Sequence, residues 1–424
     1  MRYFIRDGET KVRGMTPDSG SKLVFVMSLA MVFGLLGLAV QPALLPVFFS
    51  EWQLSELQAG WLNGIFFAGY IAGVPVLITI TDRLDARTVF LASSFIGFSA
   101  LMGYALFAEG FWSALALRVL AGVGFAGTYM PGLKTLTDRI DRKDSSRAVA
   151  FYTASFGLGS ALSFYLAGEI NAALDWRWAF GLTAIGSLIA MALVFAAATA
   201  KKPKRHALAA ALFDFRPVFR NRGAIGYILA YALHNWELMA VSAWTVAFLS
   251  FSASLQPDGA SGWNITLIGA MAALVAMPAS IGGNEVARRF GRRRTIAAFM
   301  VISAAIGAVI GFSAALPFGI VVTLCLIYSA ATAADSASVT AGAVMSAAPE
   351  HYGATMAIHS FIGFGGAFLG PLMFGLVLDL TGGRQALTAW GTAFATIAIL
   401  TLLGPLVLKV FSSNPVPTPN PSTD

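Results

Sequence analysis

Long apolar runs separated by short polar breaks dominate this chain. Each run has about twenty residues or more, the length that a helix rising 1.5 Å per residue needs to cross a hydrocarbon core of about 30 Å. The runs are too long for strands, and they recur along almost the whole chain. The pattern therefore predicts an all-α protein with many membrane-spanning helices.

Twelve runs can be distinguished, and we number them span 1 to span 12 in chain order. They lie at 23–49, 57–80, 88–108, 111–134, 147–169, 177–200, 223–250, 264–286, 295–315, 317–346, 353–378 and 385–410. Spans 1 and 10 are longer than a straight crossing requires, so we expect them to tilt, kink or emerge from the bilayer. The predicted fold class is a polytopic membrane protein of twelve transmembrane helices.

The composition excludes a water-soluble globule. Of the 424 residues, 57% are hydrophobic and 12% charged, whereas soluble domains average about 25% charged residues. The single cysteine, Cys325, cannot form an intrachain disulfide. The first apolar run is too long for a signal peptide, so we expect it to remain in the mature protein.

Basic residues fall mostly on one side of the predicted spans. Of the 28 Lys and Arg residues, 25 lie in the N-terminal tail, around the loops after even-numbered spans, or at the C-terminal end, whereas Arg177 and Arg384 lie on the other side and Arg118 lies within a span. By the positive-inside rule that side is cytoplasmic, which predicts an inner-membrane protein with both termini in the cytoplasm. Because the basic clusters border the lipid bilayer and lack interleaved aromatic residues, no nucleic-acid partner is predicted.

A basic, polar segment divides the spans into two sets of six. The predicted organisation is a cytoplasmic tail at 1–22, a first bundle at 23–200, a cytoplasmic linker at 201–222, a second bundle at 223–411 and a disordered tail at 412–424. A shift of 206 residues aligns Gly157 with Gly363 and Gly159 with Gly365, and it also places the loop after span 2 against the loop after span 8. This weak repeat indicates a duplication.

Four motifs resemble those of one transporter family, the major facilitator superfamily. The loop DRLDAR at 82–87 resembles its G-x-L-A-D-R-x-G-R-R loop, although Asp85 replaces the turn glycine, and RFGRR at 289–293 keeps the second part. Span 4 carries Arg118 followed by spaced glycines, and span 6 opens with WRWAF at 176–180, as in the family. With twelve spans in this order, the chain resembles the family over essentially its whole length.

The resemblance implies two pseudo-symmetric six-helix bundles around a central cavity, with alternating access and a monomer that works alone. The family's arginine that matches Arg118 is implicated in proton-coupled movement. The loop motifs imply a gate made of Asp82, Arg83, Arg87, Arg289 and Gly291.

Ionisable side chains inside a membrane helix are costly, so each is a candidate functional residue. Five occur within the spans, and we predict that they couple transport to protons: Arg118, His234, Glu237, Asp335 and His359. His234 and Glu237 are three positions apart and share a helix face, where they form either a proton carrier or a buried pair that only fixes span 7. A relay between Asp335 and His359 is a further hypothesis.

Polar and aromatic residues in spans 1, 2 and 7 are candidates for substrate binding. They are Gln41, Asn63, Tyr231, Trp236 and Trp244. Aromatic rings stack on organic solutes, but rings in such a helix also serve as ordinary packing.

No pattern for catalysis, a metal or a cofactor is found. The chain has four His and one Cys, and it contains no H-E-x-x-H, no C-x-x-C, no Walker loop and no G-x-S-x-G. We therefore predict neither an enzyme nor a cofactor-binding protein.

The predicted function is secondary active transport of a small organic solute or anion. Span 5 lacks the proline of the family's drug–proton antiporters, which favours uptake by proton symport. Proton-coupled efflux of amphipathic compounds remains an alternative, and a membrane sensor or assembly factor on the same scaffold is a further one.

Overall fold

The computed structural model describes residues 17–201 and 215–411, and throughout these residues all regular structure is helical, without strands. Eleven helices in this part of the chain are long and apolar enough to cross a membrane. Span 1 is the twelfth, and it is divided into shorter helices. The prediction of an all-α protein with twelve spans is confirmed.

The first half contains spans 1 to 6. Span 1 consists of Pro17–Gly34, Val40–Ala43 and Leu45–Glu51. Spans 2 to 6 are single helices: Glu56–Ile80, Ala86–Phe107, Phe111–Thr137, Arg142–Ala173 and Trp176–Ala197.

The second half contains spans 7 to 12. Spans 7, 8, 9 and 11 are Arg222–Ser254, Ile265–Phe290, Arg292–Ile310 and Tyr352–Leu380. Span 10 consists of Phe318–Ala333 and Ser336–Ser346, and span 12 consists of Leu387–Thr401 and Leu403–Val410.

The segments outside the spans are only partly described. Within the predicted linker a short helix, Arg216–Arg220, precedes span 7. The rest of that linker from 202 to 214, the predicted tail up to residue 16 and the tail at 412–424 lie outside the described residues.

After twelve crossings both ends of the described chain lie on one face. We call it the terminal face; it also carries the loops after even-numbered spans. The other side is the opposite face.

Helices of the two halves approach most closely where small residues face a backbone. Spans 2 and 11 and spans 5 and 8 form the largest contacts between the halves. In span 2, a side chain at Gly60 or Gly64 would collide with the carbonyl oxygens of Pro371 and Phe368 in span 11. Small residues thus bring the two backbones together, as is usual in membrane bundles.

Spans 1 and 10, which were expected to tilt, kink or emerge from the bilayer, are both broken. In span 1 the helix stops at Gly34, and Ser163 of span 5 bridges the break by accepting the Ala39 N–H at 2.8 Å and donating to the Leu36 carbonyl at 2.6 Å. In span 10 the helix stops at Ala333, and the hydroxyl of Ser280 accepts the Ala337 N–H at 3.2 Å. Serine side chains therefore replace backbone hydrogen bonds that each break removes.

Candidate functional site

The break in span 10 places an aspartate against span 7 in the middle of the second half. Asp335 precedes the helix Ser336–Ser346, and its Oδ1 lies 2.7 Å from Nδ1 of His234. Both residues are only 2% exposed. A carboxylate and an imidazole in such contact can share a proton, and each compensates the charge that the other carries when ionised.

Glu237 lies one turn further along span 7, but it faces other partners. Its Oε2 accepts a hydrogen bond from Ser303 of span 9 at 2.8 Å, and its Oε1 accepts one from Tyr328 of span 10 at 3.0 Å. The sequence analysis placed His234 and Glu237 on one helix face as a pair. In the structure each has its own partner: Asp335 for His234, and two hydroxyls of the same half for Glu237.

An aromatic stack extends the His234–Asp335 pair toward span 11. The ring of Tyr231 lies 6.0 Å from that of His234 and 4.0 Å from that of His359. Neither ring nitrogen of the buried His359 has a hydrogen-bond partner among the described residues, and the same holds for Nε2 of His234. The hypothesis of an Asp335–His359 relay finds no direct contact here, because Asp335 pairs with His234 and His359 stacks on Tyr231.

The first half presents a cation at its centre. Arg118 of span 4 is 3% exposed, its Nε donates to the Leu62 carbonyl at 3.2 Å, and its guanidinium lies over the Phe66 ring at 4.9 Å. Its Nη1 has no partner, and none of the described carboxylates lies within ion-pair distance of it. The hydrogen bond fixes span 4 to span 2, yet the charge itself is not compensated.

The predicted substrate-binding residues fall into two groups. Gln41 and Asn63 are buried in the first half with unpartnered amide nitrogens, and Trp236 has an unpartnered indole N–H. Trp244 differs, because it is fully buried, its Nε1 donates to the Pro371 carbonyl at 3.0 Å, and its ring stacks on Phe374. Trp244 therefore packs in the core near the opposite face instead of lining a polar site.

The predicted gate residues lie at the terminal face. Asp82 and Arg83 are exposed, Arg87 donates to the Phe195 carbonyl at 2.9 Å, and Arg289 contacts Glu285 at 3.4 Å. Gly291 has a φ of +94°, a conformation that favours glycine, and it separates spans 8 and 9.

Asp85, the departure from the family's turn glycine, is the best-anchored residue of that face. Its carboxylate lies 2.6 Å from Arg139 and accepts the backbone N–H groups of Arg87 and Lys201. Burial acts to raise the pKa of Asp85, but the hydrogen bonds from Arg139 and the two N–H groups outweigh it and lower the pKa below its ordinary value. The loop is held by this aspartate where the family has a glycine.

The opposite face is joined by contacts between the halves. Oε1 of Glu56, at the start of span 2, accepts two hydrogen bonds of 3.0 Å from Arg384, one from Nη1 and one from the backbone N–H. The Arg384 guanidinium also lies 4.4 Å from the centre of the Phe49 ring, and Asn264 donates to Glu169 at 2.8 Å. Sequence reasoning missed this set because it considered ionisable residues only within spans and in the loops with family motifs, although Arg384 was one of few basic residues assigned to this side.

Metal and cofactor sites find no support in the described ranges. Within residues 17–201 and 215–411 no group of three or more His, Cys, Asp or Glu side chains is placed to hold a metal ion. The buried polar groups described above form separate small sets in the two halves.

Comparisons with known proteins agree with this architecture. The family profile described as Major Facilitator Superfamily matches residues 26–334. The MFS-type transporter YcaD of Escherichia coli is 28% identical over 155 residues, a match that covers 36% of this chain and 40% of YcaD. Human protein spinster homolog 1 is 22% identical over 307 residues, covering 67% of this chain and 57% of the human protein.

Two solved structures show the same fold. The nucleoside transporter NupG superposes with a TM-score of 0.74 at 15% identity, covering 93% of this chain and 99% of NupG. An inward-facing, occupied bacterial homologue of the human lysosomal transporter Spinster gives a TM-score of 0.68 at 17% identity, covering 94% and 96% of the two chains. Because the family profile matches most of the sequence, this chain belongs to the major facilitator superfamily, and its relatives are MFS-type transporters, which are not enzymes.

Proposed function

We propose that this transporter couples the movement of a small organic solute or anion to protons, in the direction of uptake by symport. The observation that carries the proposal is the buried His234–Asp335 contact of 2.7 Å at the break in span 10. Ionisable side chains within a membrane bundle are energetically costly, so a buried carboxylate and histidine are a candidate functional pair. The two groups can hold one proton between them.

The position of the pair supports coupling to a conformational change. Asp335 lies between two helical pieces of span 10, where a change in its charge alters the attraction between spans 7 and 10. Discontinuous helices form the substrate and coupling-ion sites of many secondary transporters. Loading and release of the proton would then accompany the rocking of one half against the other.

We propose a location in the inner membrane, with the terminal face in the cytoplasm and a monomer as the working unit. The concentration of Lys and Arg at that face supports the orientation. The Glu56–Arg384 contact would then close the site toward the outside, so the described conformation is closed on that side.

The experiment is gradient-driven transport in proteoliposomes. A pH-sensitive dye inside the vesicles reports proton movement while a panel of solutes, including nucleosides because of the likeness to NupG, is added outside. We expect a transported solute to carry protons inward with it and to accumulate when the outside is acidic.

Asp335→Asn is expected to abolish accumulation, to about the level of protein-free vesicles, because a neutral amide cannot take up the proton. Asp141→Asn, at an exposed aspartate that caps span 5 without a side-chain hydrogen bond, is the control and should transport normally. Accumulation by Asp335→Asn at the wild-type level would contradict the proposed role.

The alternatives give different results in the same vesicles. Solute entry coupled to outward proton movement would support efflux of amphipathic compounds. No flux of any solute in the panel would favour a sensor or assembly role over transport by this mechanism.

A further inference from the structure

Several buried polar groups in the first half have no hydrogen-bond partner among the described residues, and three of them are donors on residues that the sequence analysis singled out for proton coupling or substrate binding. They are Nη1 of Arg118, Nε2 of Gln41 and Nδ2 of Asn63, on spans 4, 1 and 2, and each residue is at most 3% exposed. Buried donors are almost always satisfied in proteins, so a set of three marks a place built to receive an acceptor.

Contacts within the half place the three side chains in one neighbourhood. Arg118 donates to the carbonyl of Leu62, the residue that precedes Asn63. Gln41 is held by Tyr104, whose hydroxyl donates to Oε1 at 2.5 Å and so leaves the amide nitrogen free. Tyr104 in turn interacts electrostatically with Arg118. The contacts of Arg118 with Leu62 and of Tyr104 with Gln41 thus link residues of spans 1, 2, 3 and 4.

The charge of this neighbourhood is uncompensated. A guanidinium keeps its proton at any working pH, and a cation buried in a membrane bundle requires an anion nearby. The other buried ionic side chains of the first half are already paired, Arg139 with Asp85 and Glu56 with Arg384. Arg118 therefore differs from them in having a free charge together with neutral donors beside it.

We propose that Arg118, Gln41 and Asn63 form an anion-binding subsite that holds a carboxylate or phosphate group of the substrate. A guanidinium with two amide donors matches the several acceptor oxygens of such a group. The inference rests on the proposed transport function, and it assigns Arg118 to substrate recognition while the proton is handled by His234 and Asp335 in the second half.

The test measures ligand-induced thermal stabilisation of the purified full-length protein in detergent. The probes are benzoate with its uncharged counterpart benzamide, adenosine monophosphate with adenosine, succinate with succinamide, and inorganic phosphate alone. We expect at least one organic anion to raise the melting temperature by several degrees more than its uncharged counterpart, because a ligand that binds only the folded state stabilises it.

The probes also separate the sources of the anionic group. Stabilisation by inorganic phosphate alone would identify a phosphate site, whereas stabilisation by a carboxylate would identify an organic acid; both support the subsite. Equal effects of charged and uncharged members in every pair, with no effect of phosphate, would overturn it.

Variants locate the effect. Arg118→Gln is expected to weaken binding of the stabilising anion about 30-fold or more, since removal of one partner of a buried charge pair has effects of that order. Arg118→Lys should retain part of the affinity. Arg177→Gln is the matched control: this arginine donates to the Ala105 carbonyl near the opposite face and should bind the anion as wild type does.

A second variant keeps the test valid if Arg118→Gln does not fold. Gln41→Glu retains the acceptor for Tyr104 but adds a carboxylate at the subsite, so it should repel the anion and lose the stabilisation. Undiminished anion binding by both variants would overturn the proposal. Because binding in detergent needs no proton gradient, anion binding without proton coupling in vesicles would contradict only the proposed function.

Discussion

The two halves of this protein share an arrangement of six spans but bury different kinds of ionisable side chain. The first half buries one arginine, Arg118, without a carboxylate partner among the described residues. The second half buries two carboxylates and two histidines, and it satisfies Glu237 and Asp335 through its own side chains. The difference indicates a division of labour, with a fixed positive charge in one half and titratable groups in the other.

Equivalent spans make the contrast specific. The shift of 206 residues that relates the halves sets Asp335 of span 10 against Tyr129 of span 4. Span 4 runs unbroken over Phe111–Thr137, whereas span 10 is interrupted at the aspartate. Of these two equivalent spans, only span 10 therefore has a helix break and an acidic residue at this position.

The largest expected effect separates the two acids of the second half. We expect Asp335→Asn to abolish proton-driven accumulation, whereas Glu237→Gln should lower its rate less than about tenfold. The reason is that both oxygens of Glu237 are held by neutral hydroxyls within one half, so the neutral amide loses about one hydrogen bond to a charged group. Initial uptake rates in vesicles at several external pH values measure this.

The reverse ranking would overturn the comparison. If Glu237→Gln eliminates accumulation and Asp335→Asn does not, the proton carrier is Glu237. A variant that transports at the wild-type rate at every pH excludes its acid as the carrier.

An intermediate effect is expected where the halves meet at the opposite face. Arg384→Ala removes the side-chain hydrogen bond to Glu56 and the contact with Phe49 but keeps the backbone N–H bond, so the closed opposite face should lose about 1–2 kcal/mol, a population change of about 5–30-fold. Spin labels at the exposed residues Glu109 and Asp258, in a Cys325→Ala background, report the distance between the halves.

The matched control is Arg177→Ala. Arg177 is the other basic residue assigned to that side, but its hydrogen bond to Ala105 stays within the first half. Distance distributions identical in Arg384→Ala and wild type would mean that the ion pair does not hold this face closed.

The smallest expected effect concerns the terminal face of the first half. Asp85→Asn should lower the free energy of unfolding by about 1.5–3 kcal/mol at neutral pH, as for hydrogen bonds to charged groups, without changing the coupling of solute to protons. Because the folded-state pKa of Asp85 is lowered, its contribution is complete above the ordinary aspartate pKa and disappears as pH falls through the folded-state value.

Thermal unfolding of wild type and Asp85→Asn measures this difference from neutral into acid pH. The gap between them should be constant near neutrality and narrow in acid. A gap that widens as the pH falls would contradict the assigned direction of the shift.

Several features of the site could be predicted from the sequence because their cause is local. An ionisable residue within a long apolar run is visible without any structure, and all five predicted ones are largely buried. The length of spans 1 and 10 predicts that they deviate from a straight crossing, and both are broken. The glycine at 291 follows from a loop motif, and its positive φ agrees with that.

Partners could not be predicted, because each joins residues far apart in the chain. The sequence analysis paired His234 with Glu237 by helical spacing, but the tertiary fold brings Asp335 to the first and Ser303 with Tyr328 to the second. Trp244 was a candidate ligand contact by its position in span 7, and only the packing of Pro371 and Phe374 against it shows a core residue.

The sequence by itself determined that this protein crosses a membrane twelve times, because hydrophobic length and the distribution of charge are properties of consecutive residues. It also identified which buried ionisable side chains require an explanation. Only the tertiary structure decided how those charges are compensated, because hydrogen bonds and ion pairs depend on which helices pack together. Within residues 17–201 and 215–411, that packing leaves Arg118 without a counter-ion and pairs Asp335 with a histidine, which is where the two halves differ.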